Sequence, residues 1–309
     1  MGVADVEDYP RTIASLESRY SQEGDCLDCL FALRWPDGFC CPNCTNGRAW
    51  RSSRGLWLCS GCRRQVSVLA GTVFQDTHLP MRTWFRAMWY ITSQKNGVSA
   101  LGLQRVLGLG SYRTAWLMLH KLRQAMVRPG REKLSGVVEV DETYWGSAEF
   151  GGATGRKTFS KVLIIVAAEA DGKRIGRIRM ALIEDFDRKT LHRFIQDNIE
   201  LGSTVCTDGL NSYRELNGYI HNRKVQNLRQ GGEPLLPRVH LVISLLKRWL
   251  LGTLQGSASD KYLDDYLNEF VFRFNRRKSA SRGKLFYRLA QQAVNAEPAT
   301  YSMLTSRRI

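Results

Sequence analysis

Two closely spaced cysteine pairs constrain this sequence more than any other feature. Cys41 and Cys44 form one C-x2-C pair, and Cys59 and Cys62 form a second pair after a spacer of fourteen residues. Each pair predicts a tight turn that carries two thiolates, and four thiolates complete the tetrahedral coordination of one zinc ion. Such a site has no open position. We therefore predict a structural Zn²⁺ whose binding supplies folding free energy to a segment too small for its own core.

The remaining cysteines leave alternatives open. Cys40 adjoins the first pair and is an alternative zinc ligand. Cys26 and Cys29 form a third C-x2-C pair, but they lie in an apolar helical pattern and are interpreted as core residues. Cys206 lies inside a predicted strand and is interpreted as a packed thiol. We expect these thiols to be reduced in the cytoplasm, because the acidic N-terminus lacks the apolar segment of a signal peptide and no apolar run has membrane-spanning length.

The charge of the chain points to a polyanionic partner. The net charge is +16, and the stretch from Thr45 to Arg131 contains a single acidic residue, Asp76, among many arginines and lysines. The first thirty residues are acidic by contrast. A long basic stretch of this kind is typical of proteins that bind the phosphate backbone of DNA, although a solvated basic face without a partner is the alternative.

Two parts of the basic stretch are candidate DNA-binding elements. Arg63 and Arg64 close the predicted zinc ribbon, which would contact DNA or, alternatively, another protein. Residues 76–130 have helical periodicity, and a glycine-containing turn at 108–110 predicts a helix-turn-helix-like region. Its last helix would present four side chains to a major groove, and these are Tyr112, Arg113, Thr114 and Lys121. Many helical hairpins share this outline without touching DNA, and the charge favours the DNA interpretation.

Acidic residues follow two predicted strands in the second half of the chain. Residues 136–145, GVVEVDETYW, begin with β-branched alternation and run into Asp141, where we expect the strand to end. Residues 203–209, STVCTDG, are a second short strand that ends at Asp208. A carboxylate at the end of a core strand suits a metal site, because the backbone is fixed while the site opens to solvent. The alternative is that Asp141 only ends a strand.

A later apolar helix carries two polar residues on one stripe. Residues 237–254 read as a helix, and at 100° per residue His240 and Lys247 point to the same side. The order of elements before it is three strands, a helix and a strand ending in an acid, which is the order of a ribonuclease-H-like core. The alternatives are that His240 packs as a core residue and that the Lys247 stem only covers apolar surface.

Four motifs give the chain a family resemblance. They are VDETYWG at 140–146, TDG at 207–209, SLLKRWLLGT at 244–253 and YLDDYLNEFVFRFNRR at 262–277. The sequence resembles the DDE-type insertion-sequence transposases with an N-terminal zinc ribbon, the ISXO-like group related to the Merlin elements. The resemblance extends over nearly the whole chain, and it implies an α/β fold. We expect a ribonuclease-H-like catalytic core preceded by a zinc ribbon and a helix-turn-helix-like region.

The resemblance also implies a site and a reaction. Asp141, Asp208 and His240 would hold two Mg²⁺ or Mn²⁺ ions, with His240 at the position of the family's usual glutamate. Imidazole prefers softer ions than Mg²⁺, so metal preference and rate are affected more than reaction class. The enzyme would cleave the ends of an insertion sequence and join the 3′-OH to target DNA. Lys247 would be a catalytic residue that contacts the terminal phosphate or neutralises developing charge, and Lys247 and Arg248 would both contact DNA.

The implied partners are double-stranded terminal inverted repeats and target DNA, and no membrane. Synapsis of two ends implies at least a homodimer, which we expect in the cytoplasm at the nucleoid. The predicted domains are residues 1–75 with the ribbon, 76–130, and a catalytic domain over 131–309 that includes the C-terminal helices. Two other functions share these features, namely a catalytically impaired transposase-derived DNA-binding protein and a structure-selective ribonuclease-H-like nuclease.

Overall fold

The structure is a computed structural model that describes residues 8–146, 162–224, 235–255 and 258–306. The chain forms two compact units. The helical unit contains the described residues up to Arg128 together with those from Lys278 onward, and the sheet unit spans Pro129–Arg277. The Gly-rich basic segment after Gly146 and most of the loop before Leu236 lie outside the described residues.

The described residues contain the following elements in chain order. They are α1 (Ile13–Arg19), α2 (Glu23–Arg34), β1 (Ala49–Arg51), β2 (Trp57–Cys59), β3 (Gln65–Val66), α3 (Met81–Ser93), α4 (Ala100–Leu107), α5 (Tyr112–Ala125), β4 (Val137–Trp145), β5 (Val162–Asp171), β6 (Arg174–Ile183), α6 (Arg188–Asn198), β7 (Thr204–Thr207), β8 (Ile220–Arg223), α7 (Pro237–Leu254), α8 (Leu263–Asn275), α9 (Arg282–Ala293) and α10 (Tyr301–Thr305). Short 3₁₀ turns lie at Asn211–Tyr213 and Asp260–Tyr262.

One mixed sheet organises the sheet unit. Its strand order is β6-β5-β4-β7-β8. The first three strands in sequence pair antiparallel, and β7 and β8 then add in parallel on the other side of β4. Three antiparallel strands followed by a crossover helix and parallel strands form the predicted ribonuclease-H-like core. This fold class is confirmed.

The two faces of the sheet bury different helices, because alternate residues of a strand point to opposite sides. Val138 and Val140 pack with Leu191 and Ile195 of α6 on one face. The opposite face packs against α7 and α8, with Val242 and Leu246 among its fully buried side chains. The even positions of β4 therefore face α6, and the odd positions, including Asp141, face α7.

The strand β4 is longer than the sequence predicts. The sequence predicts that β4 ends at Asp141, but the strand pairs with β5 as far as Trp145 and Val162. The residues after Asp141 include Thr143, Tyr144 and Trp145, whose side chains favour a pleated surface. Because β5 offers them a partner strand, the ladder continues, and Asp141 lies in the middle of β4.

The motif at the end of α8 closes the free edge of the sheet. Asn275 Oδ1 accepts from the Ile178 amide at 2.7 Å, and its Nδ2 donates to the Ile178 carbonyl at 3.1 Å. Arg277 donates to the carbonyls of Ile175 and Gly176 on the same edge strand. An unpaired strand edge is a template for aggregation. Asn275 and Arg277 bond to backbone groups of this edge, so residues 274–277, FNRR, have a structural role.

The C-terminal helix α9 belongs to the helical unit. The sequence analysis predicts a boundary at 130/131 and places all C-terminal helices in the catalytic domain, so the observed division differs from the predicted one. Phe286 of α9 is fully buried and packs against Tyr20, Phe85 and Trp89. Gly283 approaches the chain so closely that an added Cβ would lie 1.6 Å from the Pro10 carbonyl oxygen. The aromatic face of α9 therefore finds its partners far away in sequence, which periodicity does not show.

Other features of the helical unit follow the sequence. The three-stranded sheet of the ribbon has the order β1-β2-β3, and β3 ends at Val66. Phe31 of α2 stacks on Trp57 of β2 with ring centroids 4.1 Å apart. Gly108 ends α4 in the left-handed conformation, at φ 64°, before α5 begins. No helix in the described ranges has the length and apolar character needed to cross a membrane.

Candidate zinc site and candidate active site

The four ribbon cysteines converge as their spacing predicts. Cys41 Sγ lies 3.7 Å from Cys62 Sγ, and Cys44 Sγ lies 3.6 Å from Cys59 Sγ. Tetrahedral zinc with Zn–S bonds of about 2.3 Å places its sulfurs about 3.8 Å apart. All four ligand atoms lie within 4.8 Å of one another. The donor set and its dimensions fit a structural Zn²⁺.

Backbone N–H groups lower the pKa of two of these four thiols and so favour their thiolate forms. The Arg64 N–H hydrogen-bonds to Cys62 and lowers the pKa of its thiol to about 6, with further lowering from the other cysteines against burial. The Cys62 N–H lowers the pKa of Cys59 in the same way. Thiolate is the form that binds metal, so the tight turns stabilise the charge state that zinc requires.

The other cysteines do not join this cluster in the part of the chain that the structure describes. Cys26 is fully buried on α2, and Cys29 Sγ lies 3.4 Å from the Tyr20 hydroxyl. Cys206 is buried in the sheet core. These positions agree with their interpretation as packed thiols. Cys40 is exposed and points its Sγ towards the Thr45 carbonyl, so the structure favours Cys41 as the ligand.

The second candidate site forms where β4 meets the start of α7. The Nε2 atom of His240 lies 3.0 Å from Oδ2 of Asp141. The side chain of Asp141 is 18% exposed and that of His240 is 51% exposed. His240 therefore does not pack as a core residue, and the pair opens to solvent on the helix side.

Asp208 approaches the same place from the end of β7. Its Oδ1 accepts from the Leu210 amide at 3.0 Å, which fixes the turn after the strand. Thr207 bonds to His221 Nε2 at 2.9 Å, and Arg223 donates to the Gly209 carbonyl, so β8 holds both sides of this turn. Parallel pairing of β7 beside β4 carries Asp208 towards Asp141.

The electrostatics of the site show that its carboxylates influence one another. Burial raises the pKa of Asp141, and repulsion from Asp208 acts in the same direction against the Glu142 amide and His240. Burial also raises the pKa of Glu142 to about 7, with Asp141 and Asp208 again raising it. Neighbouring carboxylates raise each other's pKa because their negative charges repel. A bound divalent cation would neutralise this charge.

Glu142 was missed by the sequence analysis. It follows Asp141 directly, so it points to the opposite face of β4, where the fully buried Tyr213 donates a hydrogen bond to its Oε1. Its position next to Asp141 was visible in the sequence, but its partner Tyr213 comes from a 3₁₀ turn on another segment. Glu142 therefore lies behind the Asp141 site and contributes charge to it.

The donor chemistry fits the divalent cations that the resemblance to DDE-type transposases implies. Asp141 and Asp208 supply the hard carboxylate oxygens that Mg²⁺ and Mn²⁺ favour, and His240 supplies a nitrogen that suits Mn²⁺ better. Within the described ranges, the cysteine cluster is the only group of three or more such side chains whose ligand atoms all lie within 4.8 Å. The acidic site is therefore looser than the ribbon site.

Lys247 does not join His240. It is half-buried on α7, seven residues further on, a rise of about 10 Å along an α-helix. Arg248 beside it is exposed. The stripe that carries His240 and Lys247 lies along the open side of α7, while the residues on its other side fill the core.

The proposed DNA-reading side chains have different environments. Arg63 and Arg64 are exposed, with the Arg63 guanidinium 5.5 Å from the Trp50 ring centroid. Tyr112 and Arg113 are exposed at the start of α5, and Arg113 stacks at 3.6 Å on the Tyr301 ring. Lys121, in contrast, is buried.

Lys121 is a correction to the prediction. It is only 7% exposed, and its Nζ donates to the Gln75 carbonyl at 3.1 Å. Lys121 comes nine positions after Tyr112, which is about two and a half helical turns. Lys121 therefore lies on the inner side of α5, within the helical unit. It is not one of the exposed side chains that could contact DNA.

Comparison with known families gives matches at both sites. Residues 133–275 match the ISXO2-like transposase domain, and residues 21–65 match the transposase zinc-ribbon domain. Together the two matches cover more than half of the chain. This chain belongs to the ISXO2-like transposase family. Asp141, Asp208 and His240 lie within its transposase domain, and the four cysteines lie within its zinc ribbon.

A curated relative and two solved structures are similar to this family member. An uncharacterised protein in the transposable element ISH50 of Halobacterium salinarum is 26% identical over 265 residues, which cover 79% of this chain and 88% of the relative. The catalytic core domain of BIV integrase matches with a TM-score of 0.31 at 18% identity, over 48% of this chain and 89% of that one. A Mos1 transposase paired-end complex with the left transposon end matches at 0.21 and 13%, over 65% and 79%.

Proposed function

We propose that this family member cleaves the ends of an insertion sequence and joins the liberated 3′-OH to target DNA. The observation that carries the proposal is the approach of Asp141, Asp208 and His240 from three separate segments to one place on the sheet. The location matches the transposase domain, and the charge of the chain suits a DNA substrate.

The residues divide the work as follows. Asp141 and Asp208 would hold the divalent ions through their carboxylate oxygens, and His240 Nε2, which faces Asp141, would be the third ligand. Bound Mg²⁺ or Mn²⁺ supplies activation of the attacking oxygen and stabilisation of the leaving oxygen. Lys247 and Arg248, further along the open side of α7, would bind phosphates of the same DNA segment rather than touch the reacting atoms.

The helical unit would supply DNA recognition. Arg63 and Arg64 on the ribbon, and Tyr112 and Arg113 at the start of α5, are the exposed side chains that we assign to DNA contacts. We propose that α4 and α5 act as a helix-turn-helix on the terminal inverted repeats, with a homodimer or larger assembly joining two ends. This activity belongs with the nucleoid in the cytoplasm.

Cleavage of an element-end duplex in Mg²⁺ and in Mn²⁺ tests the proposal. Asp141→Asn and Asp208→Asn should each reduce end cleavage by about 10³-fold or more, because each removes a charged ligand of the ions. Asp187→Asn is the matched control, since Asp187 is an exposed acid of the same unit, and it should cleave normally. His240→Glu should raise the activity in Mg²⁺ relative to Mn²⁺.

Two results would favour other functions. If wild type binds ends without cleaving them while His240→Glu cleaves, the chain is a DNA-binding derivative whose chemistry was lost at position 240. If wild type cuts branched DNA without preference for the element end, the core is a structure-selective nuclease. Full cleavage by Asp141→Asn would place the active site elsewhere.

A further inference from the structure

The helix that carries His240 does not cap its own N-terminus. The first turn of an α-helix leaves backbone N–H groups without intrahelical partners. In α7 the N-cap residue is Leu236, which has no side-chain acceptor, and the first helical residue is Pro237, which has no N–H. The His240 amide bonds to the Leu236 carbonyl at 3.1 Å. The amides of Arg238 and Val239 therefore need an acceptor from outside the helix.

Glu139 of β4 provides that acceptor. Its Oε2 accepts from the Arg238 amide at 2.7 Å and from the Val239 amide at 3.0 Å. Its Oε1 accepts from Arg238 Nη1 at 2.9 Å. Glu139 is 1% exposed, so these are buried, charge-assisted bonds. The Arg238 guanidinium also donates to the Gly172 carbonyl at 2.9 Å, which ties the same turn to the β5–β6 connection.

The same strand holds the helix and supplies the catalytic carboxylate. Glu139 and Asp141 are two residues apart on β4, so both side chains point to the α7 face. On the helix, Val239 and His240 are consecutive. The strand therefore grips α7 at two adjacent points, through the amides bonded to Glu139 and through the imidazole at Asp141.

We propose that Glu139 is a positioning residue that fixes the first turn of α7 on β4 and thereby sets His240 against Asp141. The inference rests on the proposed function, because it assumes that this pair takes part in binding the divalent ions. Glu139 does not touch the ions or the DNA. Its carboxylate determines where the imidazole lies, in the way that residues behind metal ligands commonly orient them.

Mn²⁺ binding to the full zinc-loaded chain tests this role without relying on cleavage. The free Mn²⁺ concentration is followed by electron paramagnetic resonance for wild type, Glu139→Gln, His240→Ala and the double variant. Asp141→Asn shows which part of the binding belongs to this site. Glu139→Gln should weaken Mn²⁺ binding about tenfold, the lower end of the effect of removing a partner behind a metal ligand.

The double variant distinguishes positioning from general stabilisation. Once His240 is removed, Glu139 has no imidazole to place, so Glu139→Gln should change Mn²⁺ affinity less than about twofold in the His240→Ala background. A tenfold loss in both backgrounds would overturn the proposal, as would an unchanged affinity in the wild-type background.

Glu23→Gln is the matched control. Glu23 also caps a distant helix, since it accepts from the Met81 amide at 2.6 Å at the start of α3 in the helical unit. Its removal takes away the same kind of bond at a place without the proposed ions, so Mn²⁺ affinity should stay at the wild-type value. A loss of affinity equal to that of Glu139→Gln would show a global effect and overturn the positioning role.

If Glu139→Gln does not fold, Arg238→Gln replaces it, because it removes only the bonds of the guanidinium. It should weaken Mn²⁺ binding about threefold in the wild-type background and leave it unchanged in His240→Ala. End cleavage is measured in parallel. Absence of cleavage by wild type would refute the proposed function, while the Mn²⁺ ratios would still decide the role of Glu139.

Discussion

The ribbon and the acidic site are two candidate metal centres built on opposite principles. The ribbon ligands lie between Cys41 and Cys62, and local turns bring their sulfurs to 3.6–3.7 Å. The acidic ligands lie on β4, after β7 and on α7, almost a hundred residues apart from Asp141 to His240. The ribbon has little core of its own, whereas the acidic site lies on a sheet packed on both faces.

The ribbon and the sheet unit differ in the source of their folding free energy. In a ribbon the metal contributes the stability, because the small cluster around Phe39 and Val66 cannot do so alone. In the sheet unit the apolar core contributes the stability, and it holds carboxylates whose ionisation is disfavoured by burial first and by mutual repulsion second, until a cation binds. Metal should therefore be a condition for folding in the ribbon and a condition only for activity in the acidic site.

The largest expected effect is on the ribbon. Cys59→Ser removes a buried thiolate and with it the closed tetrahedral site, whose zinc contributes on the order of 10 kcal/mol to folding of such segments. Zinc should fall well below one equivalent per chain by atomic absorption, and trypsin should cut within residues 39–66. Cys40→Ser is the control and should keep one zinc. A fully zinc-loaded, protease-resistant Cys59→Ser would break the comparison.

A smaller effect is expected behind the acidic site. Burial raises the pKa of Glu142 from 4.5 to about 7. A carboxyl with a raised pKa stabilises the folded state at low pH, and this stabilisation is lost as the pH rises through the folded value. Glu142→Gln avoids that loss. Without Mg²⁺ or Mn²⁺ it should be about 3 kcal/mol more stable than wild type at pH 8, and close to wild type near pH 4.5, in urea unfolding.

The exposed Glu132→Gln controls for removing a charge from the same unit, and its effect on unfolding should be similar at both pH values. If Glu142→Gln is less stable than wild type at pH 8, burying the ionised Glu142 carboxylate beside the other acids does not cost the folded state free energy. The contrast with the ribbon would then disappear, because both sites would be stabilised by their own ligands.

The smallest effect concerns DNA contacts of the ribbon. Arg63→Ala with Arg64→Ala should leave zinc bound and weaken binding of any duplex, since each lost phosphate contact lowers the slope of log K against log salt by about 1. Fluorescence anisotropy over a salt series measures it. Arg11→Ala, an exposed arginine in the acidic lead-in, should leave the slope unchanged. An unchanged slope in the double variant would assign the ribbon to protein contacts.

The sequence predicted the ribbon ligands, the α/β class, the order of the core strands and the helix from Pro237 to Leu254. These features depend on spacing and periodicity, which act over a few residues. It failed where a distant partner decides the outcome. The ladder with β5 extended β4 past Asp141, and packing of α5 buried Lys121. The pairing of α9 with Phe85 and Trp89 moved the C-terminal helix into the helical unit.

By itself, the sequence determined which chemical groups the chain carries, because C-x2-C spacing and acids after β-branched runs are visible within a few consecutive residues. Only the tertiary structure decided how that chemistry is held. Glu139 has a structural role only because the amides of Arg238 and Val239, about a hundred residues away, need an acceptor. The pKa of Glu142 is raised only because the folded chain buries it beside Tyr213. Burial and hydrogen-bond completion are properties of the packed chain, so no local pattern encodes them.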